Sequence, residues 1–174
     1  MPDILGRGEC GSHVTLLFSI EDDSEELVRQ GSLGSGLCLE DGSEAIARGK
    51  EGSGNFSIGF IGGEGDGALY HEVGETLAEF VPEVKEFDWE ITVKLNVPVG
   101  QGFGMSASGA VSASMAIQRA MGLPYEDSLR RSYLVAHLVD RKRSSGLGDV
   151  SALSAGGVEL RISPGSPFHG HLLD

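Results

Sequence analysis

The stretch Val97–Ala113, VPVGQGFGMSASGAVSA, places glycines at 100, 102 and 104 and follows them with a run of small residues. Backbone this bare lets main-chain N–H groups approach an anion, and a helix starting after Met105 would add its dipole and open donors. Ser106 lies at that helix start and offers a hydroxyl to a Mg2+ that bridges phosphate oxygens. Two other uses fit the same residues. Gly102, Gly104 and Ala107 match the G-x-G-x-x-A form of a dinucleotide-binding turn, with Asp127 about 20 residues on. The small residues also suit close packing of a helix on a sheet, with Ser106 as a simple N-cap. A Walker-type loop is excluded because no lysine follows the glycines.

Other residues carry chemistry, each with an ordinary structural alternative. Asp149 stands in SGLGDV, where a glycine-flanked loop can bring a carboxylate to a reacting hydroxyl. It could equally cap the helical turns of VSALSA. His137 and Asp140 are three apart on one helix face. Asp140 could instead pair with Arg141, Lys142 or Arg143, and His137 could be a satisfied, half-buried histidine. Arg161 alternates with Leu160 and Ile162, so it leaves their apolar face together with Glu159. Its planar fork suits a substrate carboxylate; pairing with Glu159 at the surface is the alternative. Ser32 reads as a turn serine, and His13 as a structural histidine on an exposed strand face.

These residues need elements to position them. Ser12–Ile20 is apolar and β-branched and reads as a strand. An acidic loop with one helical turn follows. Asp41-Gly42 between two short strand-like runs signals a hairpin. GNFSIGFIG is another strand. Leu69, Val73, Leu77 and Phe80 share one helical face, ended by Pro82. In FDWEITVKLNV, Ile91, Val93, Leu95 and Val97 point one way and Glu90, Thr92, Lys94 and Asn96 the other, a strand with one wet face. A dinucleotide-binding first strand is buried on both faces, and its helix leads into a parallel strand. Here a small-residue helix over 106–120 leads into a second helix, which disfavours that use. A loop, the turns of VSALSA and the strand GGVELRI complete the pattern. Strands before helices packed on one side of a largely antiparallel sheet indicate α+β.

The chain of 174 residues can bury one sizeable core. Its net charge of -13, from 13 basic and 26 acidic side chains, disfavours binding to nucleic acid or an anionic membrane. No apolar run reaches transmembrane length, and the N-terminus has no signal-peptide core, so a cytoplasmic protein is expected. Cys10 and Cys38 have no metal-like spacing and read as small hydrophobes.

The order Pro98-x-Gly100-x-Gly102-Phe103-Gly104-Met105-Ser106-Ala107-Ser108 resembles the phosphate loop of the GHMP kinases, whose general pattern is P-x-G-x-G-L-G-S-S-A-A. The variant G-F-G-M-S-x-x-G-A is similar to the archaeal pantoate kinase branch. SHVTLLF, QGSLGSGL and SGLGDVSALSAGGVELRISPGSP resemble further motifs of that branch, in the expected order from Gly11 to Pro167. The chain departs from the pattern at several places: Phe103 stands for the loop leucine, Met105 for the first loop serine, Gly11-Ser12 for a Pro-Gly, and Asp140 for a Glu.

The resemblance implies an α+β domain of the GHMP-kinase N-terminal type over residues 1–163, with 164–174 as the start of a missing C-terminal domain. The tail FHGHLLD falls in that start. It implies ATP and Mg2+ as cofactors, and a small hydroxy acid, (R)-pantoate, as the substrate phosphorylated for coenzyme A biosynthesis. Homoserine or a mevalonate-type acid is the alternative. Gly100, Gly102, Phe103, Gly104, Met105, Ser106 and Ala107 would cradle the phosphates. Ser106 and Asp140 would hold Mg2+, Asp149 would accept the hydroxyl proton, and Ser32, His137 and Arg161 would bind the acid. A homodimer stays open. A cleft with its second domain missing would be open to water, and little activity is expected from such a half.

Overall fold

A computed structural model describes residues 3–167 and 172–173. Two long strands, β1 (Ile4–Glu21) and β2 (Gly31–Glu51), pair antiparallel along their whole length. A short 3-10 turn, Leu27–Arg29, joins them. On its other edge β2 pairs antiparallel with β4 (Phe87–Leu95) through its second half and with β5 (Val158–Arg161) through its first. β3 (Phe56–Ile61) lies parallel to β4, and β6 (Leu172–Leu173) pairs with β5. The helices are α1 (Gly67–Phe80), α2 (Met105–Ala120), α3 (Tyr125–Arg143) and α4 (Asp149–Ala155). The result is the expected α+β fold with a mostly antiparallel sheet. Among the described residues no helix is long and apolar enough to cross a membrane.

The small residues of α2 pack against bare positions of β1. A Cβ at Gly6 would stand 2.1 Å from the Ala116 carbonyl, and one at Gly8 would stand 2.1 Å from the Ser112 carbonyl. The helix therefore lies close on the sheet, with Ala107, Ala110, Ala113 and Ala116 buried beneath it. Ile91, Val93 and Leu95 enter the same core from β4. α2 leads into α3, not into a strand, and β4 keeps one wet face, so no dinucleotide-binding unit forms.

Three expectations from the sequence fail. Asp41-Gly42 makes no hairpin: β2 runs straight through it. The register steps from Gly11↔Gly42 to Ser12↔Leu39, so Glu40 and Asp41 form a bulge. Ser12 Oγ donates to the Asp41 carbonyl at 2.6 Å and pins it. Phe80 ends α1 exposed rather than in its apolar face. On β5 the alternation is real but inverted. Val158, Leu160 and Ile162 point outward, while Glu159 and Arg161 are buried, at 1% and 2% exposure.

Residues 164–167 still belong to this packing. Ser151 Oγ donates to the Gly165 carbonyl at 2.7 Å, and Ser166 N–H donates to the Val28 carbonyl at 2.8 Å. Packing therefore runs past residue 163. Most of the FHGHLLD tail, both its histidines included, lies outside the described residues.

Candidate active site

A cleft of about 400 Å³ opens where β1, the start of β2, β5 and the loop 144–148 converge. Thr15, Ser32, Arg141, Gly146, Asp149 and Arg161 line it. Ser144 ends α3 in the left-handed region, φ 54°, and turns the chain into the loop that roofs this cleft.

The glycine loop comes up to Asp149 at Gly104. Gly100, Gly102 and Gly104 all have positive φ (74°, 81° and 60°), which a side chain would oppose. Gly104 is also the N-cap of α2, so Ser106 is not the cap. The first helical bond runs from Ser108 N–H to the Gly104 carbonyl at 3.0 Å, leaving the amides of Met105, Ser106 and Ala107 as the open donors of the helix start. The Met105 and Ala107 side chains are buried in the core, so only their backbone can meet a ligand. That explains a methionine here: position 105 is a core position. Phe103 packs on the same core, and its carbonyl accepts from His13 N–H at 3.0 Å.

Asp149 opens α4 but does not cap it; the cap position is Gly148. Its side chain is 23% exposed, and His13 Nδ1–H donates to Oδ1 at 2.7 Å. Gly104 allows this approach, since a Cβ there would stand 3.1 Å from Asp149 Cγ. In the same cleft, Arg161 donates from Nε to Ser32 Oγ at 3.2 Å and from Nη1 to Glu159 Oε1. Glu159 Oε1 also accepts from His13 Nε2–H at 3.1 Å, while Oε2 is buried with no partner among the described residues. The glycines of SGLGD are clearances. A Cβ at Gly148 would stand 2.2 Å from Ser32 Oγ, and one at Gly146 would stand 2.6 Å from Asp140 Oδ2.

Asp140 is buried, and the basic residues beside it serve other partners. Arg141 donates to Gln30 and to the Gly146 carbonyl. Lys142 pairs with Glu79, and Arg143 with Glu72 and Asp66. Asp140 Oδ1 accepts from Ser145 Oγ at 2.8 Å, and Oδ2 has no hydrogen-bond partner among the described residues. Burial pushes its pKa from 3.8 up to about 6. The nearby Asp149 charge adds to the rise, while Ser145, Ser106 and Arg141 oppose it. An orphaned, buried carboxylate oxygen beside a serine hydroxyl is a hard-oxygen donor set that fits Mg2+. Among the described residues no three His, Cys, Asp or Glu side chains converge as a metal cage. A metal here would therefore take most of its shell from phosphate and water.

A stability test follows from this shift. In the folded chain Asp140 keeps its proton up to about pH 6, and in the unfolded chain only to about its ordinary 3.8. The native state binds the extra proton between those values, so stability falls as pH rises through that window. Asp140→Asn is expected to remove the slope and to be about 1–3 kcal/mol more stable than the parent at pH 8. Urea titrations of both chains between pH 4 and 8 measure it; parallel pH profiles would contradict it.

His137 is placed differently from the other candidates. It is buried on α3, its Nε2–H donates to the Leu27 carbonyl at 2.9 Å, and it does not line the cleft. It ties α3 to the 3-10 turn before β2. His13, read from the sequence as exposed, is 0% exposed and central to the site. The signal for it was weak: His13 and Thr15 share one strand face by alternation, and Gly36 lies nearby in the paired strand. Burial pushes the thiols of Cys10 and Cys38 up to about 12 and about 11, so neither is a nucleophile.

Residues 69–157 match the family model described as the GHMP kinases N terminal domain. A pantoate kinase from Thermococcus kodakarensis is 32% identical over 171 residues, covering 94% of this chain and 54% of that protein. A solved structure described as a phosphotransferase related to the CoA biosynthesis pathway superposes with a TM-score of 0.80 at 32% identity, covering 98% of this chain and 57% of that one. A mevalonate kinase from methicillin-resistant Staphylococcus aureus gives 0.59 at 15% identity, covering 90% of this chain and 52% of that one, a likeness of fold. The chain spans about half the length of the relatives it matches.

Proposed function

The chain belongs to the GHMP kinase family through its N-terminal domain, and from that premise we propose that it supplies the main reacting groups of an ATP-dependent kinase acting on (R)-pantoate. The observation that carries this reading is one cleft lined by both a carboxylate, Asp149, and a guanidinium, Arg161. A hydroxy acid has the matching pair of groups.

The acid's carboxylate pairs with Arg161, whose fork suits two oxygens, and Ser32 orients both. The primary hydroxyl then lies toward Asp149, which accepts its proton as the oxygen attacks the γ-phosphorus and the bond to the β–γ bridging oxygen breaks, releasing ADP. The amides of Met105, Ser106 and Ala107 hold the phosphates at the α2 start. Ser106 and Asp140 would hold Mg2+, which when bound offsets charge on the phosphate oxygens. The product is 4-phosphopantoate, a step in coenzyme A biosynthesis, and the protein works in the cytoplasm with the ATP pool. The similarity to pantoate kinases at higher identity than to mevalonate kinase favours pantoate over mevalonate.

ADP release measured with a panel of hydroxy acids tests this. The expected kcat/KM for (R)-pantoate exceeds those for homoserine and mevalonate by about 10²-fold or more. Turnover confined to homoserine or mevalonate would overturn the substrate. ATP binding without turnover of any acid would favour a non-catalytic nucleotide-binding module.

A further inference from the structure

We propose that His13 is a positioning residue that locks the Asp149 carboxylate and the Arg161 guanidinium at a fixed separation, and so sets which hydroxy acids fit between them. The inference rests on the kinase reading above.

The ring is fully buried, and each nitrogen faces a carboxylate: Nδ1 is 2.7 Å from Asp149 Oδ1 and Nε2 is 3.1 Å from Glu159 Oε1. Ionised carboxylates only accept hydrogen bonds. A ring nitrogen meets such an oxygen by donating its N–H, so the ring is held between two acceptors. Along the line Asp149, His13, Glu159, Arg161 each side chain is within hydrogen-bond distance of the next. Thr15 Oγ1 flanks the joint, 3.4 Å from Nδ1 and 3.5 Å from Asp149 Oδ1.

Two further contacts show that the fold makes room for this ring and uses it. A Cβ at Gly36 would stand 2.1 Å from Nε2, so the paired strand is bare at that place. The His13 amide holds the glycine loop through the Phe103 carbonyl at 3.0 Å. One residue thus touches the phosphate loop, the proton acceptor and, through Glu159, the acid-binding arginine. A hydroxy acid must bridge Asp149 and Arg161 to react, so rigid spacing between them selects by the number of atoms between hydroxyl and carboxylate.

Two substitutions split the two bonds. The amide nitrogen of Asn sits near the place of Nδ1, and that of Gln near Nε2. His13→Asn keeps a donor for Asp149 and should hold kcat within about tenfold while raising KM for the acid by more than about tenfold. His13→Gln keeps a donor for Glu159 and should do the reverse, with kcat down about 10²-fold and the acid KM within about threefold. Equal effects of the two variants on kcat and KM, as for a merely space-filling ring, overturn the proposal. Nitrogen-15 NMR of the parent chain without ligands gives a second readout that needs neither substrate nor turnover. Asp149→Asn is expected to shift the His13 Nδ1 resonance while leaving Nε2. An unmoved Nδ1 resonance in that variant overturns the proposal even if pantoate is turned over. A failed pantoate assay with the Nδ1 shift present overturns the substrate alone.

Discussion

Asp149→Asn is expected to lower kcat by about 10²- to 10⁴-fold, the range that a positioned proton acceptor contributes. The geometry limits the damage to chemistry. Oδ1 already accepts from His13, and an asparagine oxygen can accept in the same place, so folding should survive. Oδ2 has no hydrogen bond among the described residues and is the oxygen left to meet a substrate hydroxyl. An amide there cannot take a proton. KM for ATP should stay within about threefold, because the proposed phosphate site is the α2 amides and not this side chain. ADP release at saturating ATP and pantoate measures the effect. Unchanged turnover would remove Asp149 from the reaction.

Much of this site was legible in the sequence because its motifs are backbone devices. Glycines at 100, 102 and 104 allow an anion cradle, a dinucleotide turn or close packing, and all three take positive φ. The wet face of β4 is legible from alternation, and the two helices from the small-residue run and the stop at Gly122 and Pro124 between them. What stayed hidden depended on which face of the sheet is covered. Alternation on β5 separates Glu159 and Arg161 from Leu160 and Ile162, but it does not say which pair is inside. The covered face here holds the polar pair, and Val158 is 70% exposed on the other. His13 was missed for the same reason: its partners Asp149 and Glu159 are 136 and 146 residues away and come into reach only when β1 and β5 flank β2. Asp41-Gly42 misled because a bulge and a two-residue turn use the same residues. Met105 seemed a defective loop serine until the core claimed its side chain.

Arg161→Met should lower kcat/KM for the acid by about 10³-fold and destabilise the fold by about 3–5 kcal/mol, the cost of leaving a buried charge without its partner. The two effects have different sources. Stability is lost because Glu159 is buried, carries one oxygen with no partner among the described residues, and relies on Arg161 and His13 for its other oxygen. Acid binding is lost because the fork that meets the substrate carboxylate is gone. Glu159→Gln added to Arg161→Met separates them: with the buried charge removed, most of the stability should return, while the kcat/KM loss should remain. Arg161→Lys should fall between, keeping the charge but giving up the bidentate geometry. Urea melts and steady-state ADP release on the three variants measure both terms. If the double variant regained acid turnover along with stability, Arg161 would be a structural partner of Glu159 only, and recognition of the acid would have to lie with Ser32 and the loop above it.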